Sequence, residues 1–357
     1  MLRILITVLI FACLGSASRA VEPEPAAVMP VKPGRSTVYF ARNDGAMENY
    51  RANPVVIRNM VDELVMAVTG KSDVEAAWKS LVKPGDRVGI KISATGGRYF
   101  AVHKPLVDAI AAGLVRAGVP ASNIIVWDRA DMRDAGYRDS GANYQVRSIE
   151  SVSDYDPGAV VSSPLLGKLI WGDVKFSKNG TDIGGKLVRD PEQVSSESHL
   201  SKIMSREVTK IINVPVLRGS ESCGIAGCLF NVTIPNLDNW RRYVSGPGVG
   251  GSAIADLYAE PMISNKVVLT IMDGLIAQYA GGQGFEPNYS FHFNTIYAGK
   301  DPVAIDATAL REIGKWRKQA KLPESDKYAT YLEAAEAMGL GNFSADQIDL
   351  KAVGLLK

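Results

Sequence analysis

The sequence predicts an α/β fold: a mostly parallel sheet with helices on both faces, plus a small β-hairpin insertion. Three observations predict it. Short apolar runs of strand length alternate with segments of helical periodicity along most of the chain. RVGIKIS (87–93), the helical HKPLVDAIAAGLVRAGV and NIIVWD (123–128) stand at βαβ spacing, which makes the two strands parallel and the crossover right-handed. Residues 151–200 break the alternation, and WGDVKFSKNGTDIGGKL alternates about SKNG as a hairpin does.

The chain opens with a basic MLR, an apolar ILITVLIFACLG and a small-residue SASRA, the layout of a secretory signal peptide cleaved after Ala20. That places the protein in the periplasm or outside the cell. Lipidation at Cys13 is the less favoured alternative, because Phe11 occupies a position that prefers a small residue; an uncleaved anchor also stays open. No later segment has eighteen uninterrupted apolar residues, so no transmembrane segment is expected in the mature chain. Residues 21–36 are proline-rich and read as a flexible leader. Residues 37–357 read as one α/β domain with the insertion near 151–200.

Each element has a local reason. TVYFAR, from Thr37, is a first strand. Asn53-Pro54 is an N-cap followed by proline at the first helical position, and Val56, Met60, Leu64, Val65 and Val68 recur behind it at helical spacing. DVEAAWKSLV is a second helix. VTKIINVPVL (208–217) is a buried strand, and a helix begins near Ala253. KVVLTIMDGL is a strand ending before Asp273. FNTIYAG is a shorter strand, after which Asp301-Pro302 caps a helix through Lys318. A helix over 328–338 and a strand near 350–353 close the chain.

Lys and Arg total 40 and Asp and Glu 38; loss of Arg3 and Arg19 with the leader leaves the two in balance. A neutral chain without basic runs gives no electrostatic case for nucleic acid.

In parallel sheets, ligands bind beyond the carboxyl ends of the strands, where loops and helix N-termini converge. The predicted ends carry Lys91, Ser93, Thr95, Gly96, Gly97 and Arg98; then Asp128 and Arg129; then Arg218, Ser220 and Ser222; then Asp273; then Lys300 and Asp301, with Asp306 a turn further on. Lys91 between Ile90 and Ile92 must pair with a carboxylate or touch a ligand, because an unpaired buried ammonium is costly. Asp128 and Asp273 are its natural partners. His103 opens a helix just after the glycine loop, and its titration range suits a proton carrier. Asp301 doubles as an N-cap, and Asn231 as a satisfier of backbone groups. GPGVGGS lacks the lysine and spacing of a phosphate loop.

KPGDRVGIKIS, HKPLVDAIAAGLVRAG, NIIVWDR, KIINVPVLR with GIAGCLFNV, LTIMDGL, YAGKDPVAIDA and YLEAAEAMGLG together resemble the domain of unknown function 362 family over about residues 80–345. The resemblance implies an α/β domain, often in exported or redox-associated bacterial proteins, and names no activity. Lys91, His103, Asp128, Asn231, Asp273, Asp301 and Asp306 match recurrent positions of that family. Some members carry a ferredoxin-like module; four closely spaced cysteines are absent here, so no iron–sulfur cluster is expected within this chain. The chain departs from the family at Arg218-Gly219, where a basic-His character is common, and at Phe230-Asn231, where Lys-Asn is common.

With the leader removed, Cys223 and Cys228 are the remaining cysteines. In an exported chain they read first as a disulfide. A metal site, a redox-active pair and packed free thiols remain alternatives.

The leading functional expectation is an enzyme of unassigned reaction acting on an anionic or metal-bound small molecule at the carboxyl-end rim. Lys91, His103, Asp128 and Asp273 form its catalytic set, and Thr95, Gly96, Arg98, Arg218, Asn231 and Asp301 its ligand-binding set. Asp273 and Asp306 are candidate ligands for a divalent metal. The alternative is a non-catalytic ligand-binding protein or one that works with a redox partner.

Overall fold

The structure is a computed structural model and describes residues 34–138, 143–149, 154–168, 194–244, 247–248, 250 and 253–354. The segment read as a signal peptide, Cys13 and the SKNG turn lie outside the described residues. The strands are β1 (Ser36–Arg42), β2 (Met47–Glu48), β3 (Arg51–Ala52), β4 (Val88–Ile92), β5 (Ile124–Asp128), β6 (Gln145–Ser148), β7 (Tyr155–Lys168), β8 (Val194–Ser201), β9 (Lys210–Val214), β10 (Val216–Ser220), β11 (Gly224–Ile225), β12 (Val267–Gln278), β13 (Ser290–Gly299) and β14 (Ile348–Ala352). The helices are α1 (Pro54–Thr69), α2 (Val74–Lys79), α3 (Gly97–Phe100), α4 (Lys104–Arg116), α5 (Cys228–Thr233), α6 (Ala253–Ala259), α7 (Pro261–Ser264), α8 (Pro302–Gln319) and α9 (Thr330–Ala337). No helix among the described residues is long and apolar enough to cross a membrane.

The central sheet runs in the order β14-β1-β13-β12-β9-β4-β5-β6, with β10 added beside β12 and β11 beside β10. The ladders joining β6, β5, β4, β9 and β12 are all parallel. β13 runs antiparallel to both its neighbours, and β14 runs parallel to β1. β7 and β8 form a separate small antiparallel pair; WGDVKFSKNGTDIGGKL, the segment read as the hairpin, lies outside the described residues.

Strands covered on both faces need apolar residues at every position. In β5, Ile124 and Val126 enter one core while Ile125 and Trp127 enter the other. The first core is packed by α1, α2 and α4, the second by α5, α6, α8 and α9. The helices therefore cover both faces. α1 starts as its sequence requires: the Asn53 side chain accepts from the Val55 and Val56 amides, Pro54 follows, and Gly70 ends the helix in the left-handed region.

The structure departs from the sequence reading at three strands. The single strand expected over 208–217 is two, because Pro215 has no N–H to continue the ladder. Its carbonyl instead accepts the Asp273 amide at 2.8 Å, and β10 resumes beside β12 alone in the main sheet. β12 does not stop before Asp273 but continues to Gln278, held by β13 through the pairs Asp273–Ile296 and Gln278–Ser290. The third difference is direction. Because β13 is antiparallel, its carboxyl end points to the amino-end rim of β4, β5 and β9. Lys300 and Asp301 therefore leave the sheet at the rim opposite to the one expected.

Close helix packing gives a first test. A Cβ on Gly113 of α4 would lie 2.1 Å from Nε1 of Trp78, a fully buried residue of α2. Gly113→Ala is expected to destabilise the fold by about 1–3 kcal/mol through overpacking, measured by chemical denaturation; an unchanged midpoint would show that α2 is not held against α4 as described.

Candidate functional site

Ile90 and Ile92 face the first core, so Lys91 between them points to the opposite face, under α5. It is fully buried. Its ammonium donates to Asp128 Oδ1 at 2.7 Å, to the Ile92 carbonyl at 2.6 Å and to Asn231 Oδ1 at 3.3 Å. Burial lowers its pKa, against the charge and hydrogen bond of Asp128, which act to raise it. Asp128 Oδ2 accepts the Ala94 amide at 2.7 Å. Asn231 donates to the Lys91 carbonyl and to Asn213 Oδ1, and Asn213 donates to the Cys228 carbonyl. The network joins β4, β5, β9 and α5.

What places Asn231 is a cap supplied from elsewhere in the chain. α5 starts at Cys228 behind Gly227, which has no side chain to cap it. Asp306 of α8 takes that role, accepting the Cys228 amide on Oδ1 at 2.5 Å and the Leu229 amide on Oδ2 at 3.0 Å. A Cβ on residue 227 would lie 2.1 Å from Asp306 Oδ1, so glycine is required for this close approach. Burial raises the Asp306 pKa to about 6 although both amides act to lower it.

Above the network lies a cavity of about 230 Å3 at the carboxyl ends of β4 and β5. Ser93, Thr95, Asp128, Arg129, Arg218 and Asn231 line its polar side; Phe230, Ile234, Pro235 and Trp240 form an apolar wall. Arg241 and Gln283 complete the lining. The Arg129 and Arg241 guanidinium carbons lie 4.0 and 4.7 Å from the Trp240 ring centroid. Arg218 is 4% exposed. Its Nη1 donates to Thr95 Oγ1 at 2.9 Å and to the Gln283 carbonyl at 3.0 Å. Among the described residues no carboxylate stands within ion-pair distance of it, and Nε and Nη2 have no protein partner. Burial lowers its pKa from the ordinary arginine value, and Cys223 and Asp128 act in the opposite sense.

Of the predicted site residues, Thr95, Asp128, Arg218 and Asn231 meet at this cavity, with Ser93 and Arg129 beside them. Lys91 lies behind the wall, touching Asp128 and Asn231. Gly96 and Arg98 do not line it. A Cβ on Gly96 would come within 2.5 Å of the Phe100 backbone, so its role is the tight turn into α3, and Arg98 is exposed with its guanidinium over Tyr99.

His103 and Asp273 form a second cluster. Asp273 Oδ2 accepts both the His103 amide at 2.8 Å and ring Nδ1 at 2.9 Å, and Oδ1 accepts the Leu275 amide. Burial acts to lower the His103 pKa, but the charge and hydrogen bond of Asp273 together outweigh it and the shift is upward. Nε2 has no protein partner among the described residues. The expectation that Asp273 would pair with Lys91 is not met, because β12 carries Asp273 past that level of the sheet.

Three further expectations are corrected. Asp301 does not reach the carboxyl-end rim: it caps α8 through the Ala304 amide and also accepts from Ser36 Oγ and the Asn342 amide. Asp273 and Asp306 do not converge on a cation. Each spends both oxygens on N–H donors, and among the described residues no group of three or more His, Cys, Asp or Glu is placed to hold a metal. The Cys223–Cys228 disulfide is not formed; both are free buried thiols. Cys223 Sγ donates toward Ser220 Oγ and the Ile225 carbonyl, while Cys228 starts α5 against Asp306. Burial pushes the Cys223 thiol up to about 11 and the Cys228 thiol well above its ordinary value, the reverse of an activated redox pair.

The sequence reading missed Phe230, Ile234, Pro235, Trp240, Arg241 and Gln283. Trp240 next to Arg241 was the available signal, an aromatic with adjacent basic residues in a loop; nothing marked Gln283, which acts through its backbone.

Fold and cavity thus define an α/β protein with a basic, aromatic-walled pocket at a strand-end rim. Residues 186–311 match the model of the family described as Domain of unknown function (DUF362). No curated protein matches the sequence. Among solved structures, a crystal structure of a protein from Thermotoga maritima is similar at 12% identity and a TM-score of 0.39, covering 77% of this chain. The match spans 61% of that protein's own length. At that likeness neither fold nor activity transfers.

Two outcomes test the network. Lys91→Met is expected to cost about 3–5 kcal/mol in chemical denaturation, because Asp128 is left buried without its cation, and Lys91→Met with Asp128→Leu should recover most of the loss. The pH dependence of stability has a fixed sign. The Asp306 pKa is raised from 3.8 to about 6, so its contribution is fully present below 3.8 and lost as pH rises through about 6. The raised pKa of His103 acts likewise: its contribution is present below the ordinary value of 6.5 and lost as pH rises through the folded value. Denaturation midpoints of wild type and Asp306→Asn across pH 4–8 check the first, with a flatter profile expected for the variant; NMR titration of the His103 ring checks the second.

Proposed function

We propose that this is an exported protein whose rim cavity binds a small organic anion, with Arg218 as the anchor. One observation carries the reading: among the described residues, a buried guanidinium lines a cavity, has no carboxylate partner, and keeps Nε and Nη2 without protein acceptors. A carboxylate or phosphate oxygen pair is the group that would satisfy those two donors together. What supports a specific pocket rather than a buried charge alone is its mixed wall, apolar on the Trp240 side and polar on the Asp128–Asn231 side, as small-molecule sites require. Lys91 serves this site indirectly by holding Asp128 and Asn231 in place.

Calorimetric titration with benzoate, succinate and inorganic phosphate tests it. Wild type should bind at least one, Arg218→Met should lose about 100-fold in affinity, and Arg218→Lys should restore little of it, because a point charge lacks the fork. Failure of all three anions, or equal binding by Arg218→Met, removes the reading. Export is tested separately, by mass spectrometry of protein recovered from its own host, expected to begin at Val21.

A second reading, catalysis at the same rim, is favoured by the His103–Asp273 pair. Asp273 fixes Nδ1 as a donor and, among the described residues, leaves Nε2 without a protein partner, the arrangement of a general base. Exchange of solvent deuterium into a bound organic anion, present in wild type and lost in His103→Gln with binding retained, is the expected result; binding without exchange would leave a non-catalytic binding protein.

A further inference from the structure

The two acceptors that hold Arg218 Nη1 come from two separate loops. Thr95 lies on the loop after β4, four residues before Tyr99. Gln283 lies on the connection between β12 and β13, two residues before Phe285. The first loop runs into α3, and Tyr99 on α3 meets Phe285 on the second, with ring centroids 5.4 Å apart. Tyr50 sits against both, at 5.7 and 5.8 Å, and His292 lies 4.8 Å from Tyr50.

Tyr50 reaches this position at some cost. Met47 pairs with Ala52 and Glu48 with Arg51, so Asn49 and Tyr50 form a two-residue turn, with φ values of 47° and 61°. Such turns favour asparagine and glycine, and a tyrosine in the left-handed region is sterically disfavoured. Contacts made by its ring have to outweigh that. Tyr50 and Tyr99 are each 44% exposed, whereas Phe285 also packs against the first core. The connection carrying Phe285 is rooted on Gln278, whose side-chain amide donates to the Gly282 and Gly284 carbonyls and accepts the Glu286 amide. Its tip, with Gln283 and Phe285, is met by the rings.

We propose that Tyr99 and Phe285 are positioning residues for Arg218: their contact clasps together the two loops that hold Nη1, fixing the guanidinium plane so that Nε and Nη2 are left for the ligand. The proposal rests on the anion-pocket reading. Bidentate recognition depends on the orientation of the fork, whereas attraction to a point charge does not. Loosening the clasp therefore weakens a planar carboxylate more than a spherical halide, although neither ring is part of the cavity lining.

The test is calorimetric titration of the full mature chain with benzoate, inorganic phosphate and chloride, in wild type, Tyr99→Ala, Phe285→Ala and the double variant. Each single variant should weaken benzoate or phosphate about tenfold, with chloride little changed. The double variant should lose less than the sum of the two single losses, because both break the shared Tyr99–Phe285 contact while each also removes a contact with Tyr50. Tyr99→Phe should restore wild-type affinity, since the ring and not the hydroxyl makes the contact. Thermal melts show whether each variant is folded; where Phe285→Ala is not, Phe285→Leu and Tyr99→Ala decide. Wild type that binds neither benzoate nor phosphate overturns the pocket reading, and the clasp with it. Wild type that binds one of them while both alanine variants bind it equally well overturns the clasp alone.

Discussion

An ammonium group with no exposure in the middle of a parallel sheet cannot be left to chance: unpaired, it would be too costly for the fold to carry. Lys91 is in that position, and much of the surrounding structure follows from satisfying it. Asp128 must stand at the end of the neighbouring strand, and the Ile92 carbonyl must turn back toward the side chain. Asn231 must present its oxygen from above, which obliges α5 to lie across β4 and β9. Its amide group in turn needs Asn213, and Asn213 needs the Cys228 carbonyl. The start of α5 then depends on Asp306 from a distant helix and on the absence of a side chain at Gly227. One buried charge thus ties β4, β5, β9, α5 and α8 into a single hydrogen-bonded frame.

The contrast between Lys91 and Arg218 separates framework from site. Both are buried cations on the same side of the same rim. Lys91 has a carboxylate at 2.7 Å and two further acceptors, so nothing remains for a ligand. Arg218 has two neutral acceptors, both on one nitrogen, and faces a cavity. Folding has answered one charge internally, and the proposed anion would answer the other. Burial in a low-dielectric wall would strengthen that attraction.

The carboxylates divide by the direction of one strand. Had β13 run parallel, Asp301 would have joined the cavity rim. Running antiparallel, it delivers Asp301 to the start of β1 and the chain near Asn342, where it closes the fold's edge. α8 then returns along the second face and brings Asp306 to the head of α5. Asp273, on the extended part of β12, meets the loop leading into α4 and fixes His103. Residues that a strand-end reading groups together therefore do three different jobs: helix capping, edge closure and imidazole orientation.

How much of this was legible depends on the range of the interactions. The signals of α1, β4, α4 and β5 are local: apolar periodicity, an Asn-Pro start and a strand-length buried run. The sequence therefore determined the α/β class and the need for a partner to Lys91. It also marked Thr95, Asp128 and Arg218, because the ends of strands were recognisable one at a time, and Asn231 as a polar residue in a partly apolar run. Tertiary structure alone decided what required knowing a neighbour: the antiparallel β13 that removed Asp301, the extension of β12 that took Asp273 away from Lys91, the cap that took Asp306 away from any cation, and the separate burial of two thiols. It alone placed Trp240, Arg241 and the Gln283 carbonyl around Arg218. Strand direction and loop convergence are set by pairing across long sequence separations, and no local pattern of side chains records which distant backbone will arrive beside it.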